Sequence, residues 1–264
     1  MGLGTWRMAE DPGRRRAELA ALRRGLDLGL ALVDTAEMYA DGAAEELVGE
    51  AVAGRRDQVF LVSKVLPSNA SRAGTEAACE RSLRRLRTDR IDLYLLHWRG
   101  AFPLAETVEG FRALSRAGKI RHWGVSNLGP ADLEELISTS PDGAGLQANQ
   151  VLYNLSRRGV EADLLPWCRR RGIPVMAYSP IEQGRLLRGR VLREVAGRLG
   201  ATPAQVALAW LLRQEGVNVI PKAGSVAHVE ENLGALELRL GEDELSRLDR
   251  AFPAPAAPVP LEML

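Results

Sequence analysis

The sequence alternates short apolar runs with amphipathic segments of helical period, and this alternation constrains the fold more than any other feature. Runs that are apolar throughout and separated by helices are typical of a parallel sheet covered on both faces. The eight runs are MGLGTW (1–6), LALVDT (30–35), VFLVSKV (59–65), IDLYLLHW (91–98), IRHWGVSN (120–127), LQANQVLYN (146–154), IPVMAYSP (173–180) and VNVIPKA (217–223). In 264 residues they predict an α/β fold of one domain over residues 1–264, a (β/α)8 TIM barrel.

A doubly wound open sheet is the structural alternative. Such a sheet is expected to carry a GxGxxG turn after its first strand, and the sequence has none. The segments between the runs carry clear helix signals. Thr202 is a good N-cap, Pro203 suits the first helical position, and Gln205 can complete a capping box. This spacing predicts that a helix begins at Pro203.

Charge and cysteine content exclude several classes of protein. The 35 basic residues nearly balance the 34 acidic ones, and a net charge of +1 gives no overall field toward nucleic acid or anionic lipid. Cys79 and Cys168 lack CxxC or Cys/His spacing, which indicates a reduced cytoplasmic protein without structural disulfides or zinc. Because no apolar run reaches the ~20 residues of a membrane span, we expect neither a span nor a signal peptide.

Four side chains with acid–base chemistry lie where the second to fourth predicted strands end. Asp34 closes the second run, Lys64 lies near the end of the third, His97 follows the fourth, and Tyr39 lies in the loop after the second. Each alone has an ordinary explanation as a cap, a packed tyrosine or a core histidine. A lysine among apolar neighbours needs a buried partner, however, and Asp34 is the candidate. Since the carboxyl ends of barrel strands carry the active site, we expect the four to converge on one rim.

These side chains suit the reduction of a carbonyl group. A free phenol has a pKa near ~10, and a neighbouring Lys64 ammonium is expected to lower the pKa of Tyr39, with Asp34 holding the lysine in place. His97 would donate a hydrogen bond to a substrate oxygen while Tyr39 gives that oxygen a proton. The site would then serve a carbonyl that accepts a proton while a nucleophile reaches its carbon.

Motifs along the whole chain add a second line of evidence. They are GTW, DTAEMYADG, SK at 63–64, DLYLLHW, GKIRHWGVSN, QVLYN, AYSP and IPKAGSVAHVEEN. In this combination the sequence resembles the aldo-keto reductase superfamily, and most of all the bacterial branch that reduces methylglyoxal and other small aldehydes. The resemblance implies a catalytic tetrad of Asp34, Tyr39, Lys64 and His97. It also implies hydride transfer from NADPH, with Tyr39 as proton donor and an alcohol as product.

The resemblance further implies which residues hold NADPH. Ser126, Asn127 and Gln150 would hydrogen-bond the nicotinamide amide, Tyr178 would stack on the ring, and Lys222 would meet the phosphate on the adenosine ribose. The other implied cofactor contacts are Thr5, Trp6, the pyrophosphate-loop residues Ser179, Ile181 and Gln183, then Ala223, Ser225, His228, and the adenine contacts Glu231 and Asn232.

Two positions after Lys222 depart from the family pattern. The family has Ser directly after this lysine and Arg six residues after it, whereas this sequence has Ala223 and His228. Arginine binds phosphate bidentately and is always charged, while histidine is a weaker, pH-dependent donor. Because Lys222 is retained and Ser225 is close by in sequence, we expect NADPH to be preferred, with a smaller margin over NADH.

Both ends of the chain are short for the family. The sequence begins inside the first strand, without the hairpin that caps the barrel floor, so either the start codon is assigned too late or the floor is uncovered. Residues 253–264 form a tail rich in Pro and Ala. This tail is either a flexible end, or Leu261 to Leu264 fold over the pocket mouth. A short tail implies an open substrate pocket, walled by Trp6, Met38 and Trp98.

Two other functions stay open at this point. Some barrels of the superfamily are NADPH-binding regulatory modules. The intact tetrad favours an enzyme over such a module. A metal-dependent hydrolase would need several His and carboxylate ligands, but the three histidines, His97, His122 and His228, include no HxH pair. The resemblance favours a monomer, and the balanced charge and short apolar runs predict that it binds neither nucleic acid nor membranes. The physiological substrate stays open, because a small apolar pocket suits many aldehydes.

We predict that His228→Arg tightens the binding of NADPH more than that of NADH. Arginine adds a permanent, bidentate charge for a phosphate that only NADPH carries, which strengthens its binding roughly tenfold. The measurement is the dissociation constant of each cofactor from fluorescence titration. Equal changes in the two constants would refute the assignment of position 228 to the phosphate.

Overall fold

All eight apolar runs contain strands in the computed structural model, which describes residues 1–139 and 145–264. The strands are β1 (Leu3–Gly4), β2 (Leu32–Asp34), β3 (Phe60–Val65), β4 (Ile91–Leu96), β5 (Ile120–Ser126), β6 (Leu146–Leu152), β7 (Val175–Tyr178) and β8 (Val217–Val219). They form one sheet in chain order, and each strand is parallel to the next. This order excludes the doubly wound alternative, in which the strand order reverses.

The sheet curls until its first and last strands meet. Gly2 N–H donates to the carbonyl of Val219 at 2.8 Å, and Gly4 N–H donates to that of Pro221 at 3.0 Å. The seam requires glycine at position 4, since a Cβ there would lie 2.6 Å from the carbonyl oxygen of Ile220. The predicted (β/α)8 barrel is therefore confirmed, and its closure depends on close backbone approach between β8 and β1.

Helices follow the strands and surround the barrel. Those in the described part of the chain are α1 (Arg15–Asp27), α2 (Ala43–Ala51), α3 (Arg72–Leu86), α4 (Leu104–Arg116), α5 (Pro130–Thr139), α6 (Leu164–Arg170), α7 (Arg190–Leu199), α8 (Pro203–Leu212), α9 (Val226–Leu233) and α10 (Glu242–Ala251). Helix α1 packs against both α2 and α9, which closes the outer ring at the same seam. The predicted start at Pro203 is confirmed, with both hydrogen bonds of the Thr202–Gln205 capping box formed.

The period of two along each strand sorts the apolar side chains into two layers. A small cluster fills the barrel interior and consists of Val62, Leu93, Leu95, Ala148, Met176 and Ile220. The alternate side chains, such as Leu61 and Tyr94, belong to the large core between sheet and helices. Because side chains two residues apart share a face, a residue that follows an interior position by two also points toward the barrel axis.

The N-terminal region was expected either to have a start codon assigned too late or to leave the barrel floor uncovered. Met1 is half-buried and packs against the large core, and β1 begins two residues later. Both alternatives for the barrel floor stay predictions.

Across residues 1–139 and 145–264, the helices are all too short or too polar to cross a lipid bilayer.

Candidate active site

The polar residues singled out from the sequence form the layer directly above the apolar barrel interior. Asp34 follows Leu32, Lys64 follows Val62, and His97 follows Leu95, each by two positions. The same step leads from Ala148 to Gln150, from Met176 to Tyr178 and from Ile220 to Lys222. The inward-pointing side chains therefore change from apolar to polar toward the carboxyl ends of the strands, which is where barrel active sites lie.

Lys64 is the centre of this layer and is completely buried. Its Nζ donates to Asp34 Oδ1 at 2.7 Å, to the carbonyl oxygen of Thr35 at 2.8 Å and to the hydroxyl of Tyr39 at 3.2 Å. An ammonium group has three N–H bonds, and all three have acceptors here. The predicted pairing of Lys64 with Asp34 is thus confirmed, and the phenol of Tyr39 is tied to the same charge.

Asp34 is held from several sides. Its second carboxylate oxygen, Oδ2, accepts a hydrogen bond of 2.7 Å from Gln150 Nε2. Its backbone carbonyl accepts from both the N–H and the hydroxyl of Thr5, at 3.0 and 2.9 Å. Gln150 was assigned to the nicotinamide amide, and that role stays a prediction. The structure gives its amide nitrogen a second task, which is to orient the aspartate.

The electrostatics of Tyr39 and Lys64 correct one expectation from the sequence. Burial of the phenol raises the pKa of Tyr39, and the lowering effect of Lys64 does not offset it, so the pKa lies above its ordinary value. Burial lowers the pKa of Lys64, but Asp34 and Tyr39 outweigh it and the net pKa is raised. The expected decrease in the pKa of Tyr39 is therefore wrong. The phenol keeps its proton at neutral pH and can donate it.

His97 lies beside Tyr39 on the wall of the cavity. Its ring centroid is 5.8 Å from that of Tyr39 and 4.8 Å from that of Trp98. Burial, together with the Lys64 charge, lowers the pKa of His97 to about 2. Its Nδ1 atom is buried without a hydrogen-bond partner. The imidazole is therefore neutral at neutral pH, and it acts as a hydrogen-bonding group rather than as a cation.

A second polar group forms where β5, β6 and β7 end. Ser126 donates to the carbonyl of Gln150 at 2.8 Å, and Asn127 Nδ2 donates to the Ser126 hydroxyl at 3.0 Å and to the His97 carbonyl at 3.1 Å. The Tyr178 hydroxyl donates to Asn127 Oδ1 at 3.0 Å. Asn127 adopts a left-handed conformation, with φ +59°. These bonds fix the Tyr178 ring as an aromatic wall over the barrel mouth.

The loop after β7 is locked by a buried carboxylate. Glu182 accepts hydrogen bonds from Asn154 Nδ2 at 2.8 Å and from Arg185 at 2.8 Å. Arg157 pairs with the same carboxylate at 3.2 Å. Ser179, Glu182 and Gln183 all have positive φ values, of +47°, +51° and +54°. This loop, predicted to hold pyrophosphate, therefore has a strained backbone that is held by side-chain bonds.

A cavity of about 600 Å³ opens above these groups. The predicted site residues that line it are Thr5, Trp6, Asp34, Met38, Tyr39, His97, Trp98, Ser126, Asn127, Gln150, Tyr178, Ser179, Ile181, Gln183, Lys222 and His228. Lys64 lies behind Tyr39 and does not reach the surface. Ala223, Ser225, Glu231 and Asn232 lie outside the cavity wall, in the segment after β8 and on α9, and their cofactor contacts stay predictions.

Several residues of the cavity wall were missed from the sequence. Arg7 directly follows the GTW motif and is the one additional charged side chain among the described residues of this wall. Its position just after the first strand could have indicated that Arg7 lies at the rim with the other site residues. Pro180, Leu187 and Ile220 add apolar surface. A distinct sequence signal is lacking for them, because apolar residues next to a strand end are equally expected in the core.

The C-terminal tail reaches the cavity. Met263 and Leu264 line its mouth, and Leu261 packs against the large core. Glu262 forms an ion pair of 2.5 Å with Arg157, and the Leu264 N–H lies 3.4 Å from the Tyr178 hydroxyl. The sequence left open a flexible tail or a tail folded over the pocket. The structure shows residues 261–264 folded over the pocket mouth.

No group of three or more His, Cys, Asp or Glu side chains within residues 1–139 and 145–264 is arranged to hold a metal ion. The groups that the structure brings to the cavity are the phenol and the neutral imidazole, with the buried lysine behind the phenol. Such a set can protonate and hydrogen-bond an oxygen atom, but it offers no charged nucleophile of its own.

Comparison with known proteins identifies relatives over the full chain. A model of the aldo/keto reductase family matches residues 1–252. Methylglyoxal reductase YeaE of Escherichia coli (strain K12) is 53% identical over 269 residues, which cover 100% of this chain and 94% of that protein. Glyoxal reductase of Bacillus subtilis (strain 168) is 33% identical over 251 residues, with 94% and 87% covered. A crystal structure of an aldo-keto reductase from Klebsiella pneumoniae in complex with NADPH gives a TM-score of 0.97 at 51% identity, covering 100% of this chain and 94% of that chain.

The buried ion pair leads to a prediction about stability. Lys64→Met leaves the Asp34 carboxylate buried without its cation, and we expect the free energy of unfolding to fall by about 3–5 kcal/mol. The double variant Asp34→Leu/Lys64→Met removes both charges and should recover most of that loss. Chemical denaturation followed by circular dichroism measures both.

Lys119→Met is the matched control, because it breaks an ion pair with Glu80 in which both side chains are partly exposed. Its expected cost is no more than about 1 kcal/mol. A double variant as unstable as Lys64→Met would show that the unpaired carboxylate is not the cause of the loss.

The lowered pKa of His97 predicts a pH dependence of stability. Below pH 6.5, the ordinary pKa of this imidazole, the unfolded chain binds a proton that the folded chain does not take up until about pH 2. The free energy of unfolding therefore decreases as the pH is lowered from 6.5 to about 2, by about 1.4 kcal/mol per pH unit. Above pH 6.5, His97 does not change the stability. His97→Gln should be less sensitive by about 2 kcal/mol between pH 7 and pH 5. Parallel stability curves for the two proteins would contradict the prediction.

Proposed function

The chain belongs to the aldo/keto reductase family and is an oxidoreductase, and from that premise we propose that it uses NADPH to reduce small 2-oxoaldehydes such as methylglyoxal to alcohols. The observation that carries the proposal is the chain of hydrogen bonds from Asp34 through Lys64 to the hydroxyl of Tyr39, which ends at the cavity. A reduction needs a proton donor for the carbonyl oxygen, and this series of hydrogen bonds ends in the Tyr39 hydroxyl.

Tyr39 is the proposed proton donor. Its hydroxyl is protonated at neutral pH, because burial raises the pKa of the phenol above its ordinary value. As the carbonyl oxygen gains negative charge, the proton passes from the phenol to that oxygen. The phenolate left behind is then stabilised by the Lys64 ammonium 3.2 Å away. Asp34 keeps this ammonium in place and keeps it charged.

His97 is proposed to orient the carbonyl and to polarise it. A neutral imidazole carries one N–H, and with that hydrogen on Nε2 the ring donates to the substrate oxygen without a second protonation. The ring contact with Tyr39 at 5.8 Å lets both side chains address one oxygen atom. Such donors act on the negative charge that develops on the oxygen during the reaction.

The residues present fit the nicotinamide cofactor. At one end of the cavity, the Tyr178 ring is fixed by Asn127 and offers a flat aromatic face, while Ser126 and Gln150 lie beside it. At the other end, Lys222 supplies a cation. We propose that these groups hold the nicotinamide amide and the ribose phosphate, as the resemblance implies. When bound, NADPH supplies the hydride that reaches the carbonyl carbon.

The substrate class follows from the cavity wall. Trp6, Trp98 and Met38 line the part near Tyr39, and the Trp6 and Tyr39 rings are in edge contact at 5.0 Å. This wall is mainly apolar and close to the proton donor, which favours a small carbonyl compound over a large charged one. The relatives named for methylglyoxal and glyoxal reduction support the choice of 2-oxoaldehydes.

We predict that Tyr39→Phe loses most of its turnover but keeps its affinity for NADPH. Removal of a positioned proton donor lowers turnover by roughly 10²- to 10⁴-fold, whereas the phenyl ring preserves the packing. The assay is NADPH oxidation at 340 nm with methylglyoxal, with binding measured separately by fluorescence. Tyr94→Phe is the control, because Tyr94 is buried in the core and lies outside the cavity wall.

The alternatives give different results in the same assay. If wild type binds NADPH but turns over no member of a broad aldehyde panel, the NADPH-binding regulatory module replaces the reductase as the best account. Turnover that disappears in excess chelator would instead favour a metal-dependent mechanism. Retention of activity in Tyr39→Phe would remove the phenol from the mechanism.

The two cysteines bear on the cellular compartment of the protein. Cys79 and Cys168 are both free and buried, and burial raises the pKa of each thiol to about 12. Thiols in this state suit a reducing compartment, so we propose that the protein acts in the cytoplasm. The family resemblance supports the further proposal of a monomer that acts on small-molecule carbonyl substrates.

A further inference from the structure

Two cationic side chains converge on one point beside the seam of the barrel. A Cβ atom built on Gly224 would lie 2.8 Å from Lys222 Nζ and 3.0 Å from Arg14 Nη2. Arg14 precedes α1, whereas Lys222 follows β8, so the two meet because α1 packs against α9 across the seam. The absence of a side chain at Gly224 lets both positive groups approach this point of the backbone.

The two charges are only partly neutralised. Lys222 Nζ lies 3.7 Å from Glu18 Oε1, and the other oxygen of that carboxylate accepts from the Ala9 N–H at 2.9 Å. Arg14 is exposed, and its guanidinium has no carboxylate partner among residues 1–139 and 145–264. Partial burial lowers the pKa of Lys222, Glu18 raises it, and Arg14 lowers it further. Two cations that repel each other at this range are stabilised when an anion lies between them.

The surroundings add hydrogen-bond donors. Ser225 is the N-cap of α9, and its hydroxyl oxygen accepts from the His228 N–H at 3.3 Å. The hydroxyl proton of Ser225 is therefore available to a ligand. A helix N-terminus adds a partial positive charge at the same place. These groups match a phosphate monoester, which carries close to two negative charges and several acceptor oxygens.

We propose that Arg14 binds a phosphate monoester together with Lys222 and so sets the preference of this protein for NADPH over NADH. The proposal rests on the proposed function only in identifying the monoester as the ribose 2′-phosphate of NADPH. Position 228, where the family pattern has arginine, holds His228 in this chain. Arg14 would supply the permanent charge from the opposite side of the seam, on a planar group that can bind two oxygens at once.

The test compares Arg14→Gln with Arg16→Gln, a control that removes an exposed arginine of α1 two residues away. Dissociation constants for NADPH and NADH are measured by quenching of tryptophan fluorescence and checked by calorimetry. We expect Arg14→Gln to weaken NADPH binding roughly tenfold and to leave NADH unchanged. Arg16→Gln should alter neither constant.

Gly224→Ala is a second, independent variant. Its methyl group would lie too close to Lys222 Nζ and Arg14 Nη2 and would displace both cations from this point, so it should weaken NADPH selectively without removing any charge. Circular dichroism establishes that each variant is folded.

The outcomes separate this proposal from the reductase activity. Selective loss of NADPH affinity in both Arg14→Gln and Gly224→Ala supports the site. Equal losses for the two cofactors, no loss in Arg14→Gln, or a wild type without preference for NADPH would overturn it. Turnover of methylglyoxal by wild type with either cofactor tests the reductase proposal alone, and it stands or fails whatever Arg14 does.

Discussion

The candidate active site depends on one buried charge, the ammonium of Lys64. An ion without solvent is stable only if its hydrogen bonds are satisfied and an opposite charge is close by, and Asp34, Thr35 and Tyr39 meet these needs. This requirement determines the neighbourhood in turn. Asp34 must itself be held, which Gln150 does, and the Tyr39 hydroxyl is kept within reach of the cation. The same contacts that make the buried lysine tolerable thus create a positioned, protonated phenol with a stabilised conjugate base.

The barrel provides a rigid support for this arrangement, and the strain is carried by the loops at its rim. Ala40 and Asp41, directly after Tyr39, have φ values of +48° and +51°, and Asn127 also adopts a left-handed conformation. In the loop after β7 the same conformation is held by the buried Glu182 carboxylate. Residues in such conformations cost on the order of 1–3 kcal/mol each. They persist because the strands on either side are buried on both faces, and they hold the site side chains in fixed positions.

Much of the fold and part of the site could be predicted from the sequence. All eight strands and the helix starting at Pro203 follow from local patterns, since burial on both faces and a capping box are written in adjacent residues. The pairing of Lys64 with Asp34 followed from the cost of a buried charge. The pKa of Tyr39 did not follow, because burial of the phenol outweighs the lysine and depends on every group packed around it. The second role of Gln150 was also missed, since it lies 116 residues from its partner.

By itself, then, the sequence determined the strand order, the family, and the position of the polar site residues at the carboxyl ends of the strands, because periods and motifs along the chain set all three. Beyond the Lys64–Asp34 pair and the convergence of the four residues at the rim, the tertiary structure alone decided which side chains share a hydrogen bond, a charge or a cavity. Closure of β8 on β1 brings Arg14 to Lys222, and the tail brings Leu264 to Tyr178. Such contacts join residues far apart in the chain. The energies involved fall steeply with distance and rise with burial, and both quantities exist only once the barrel has closed.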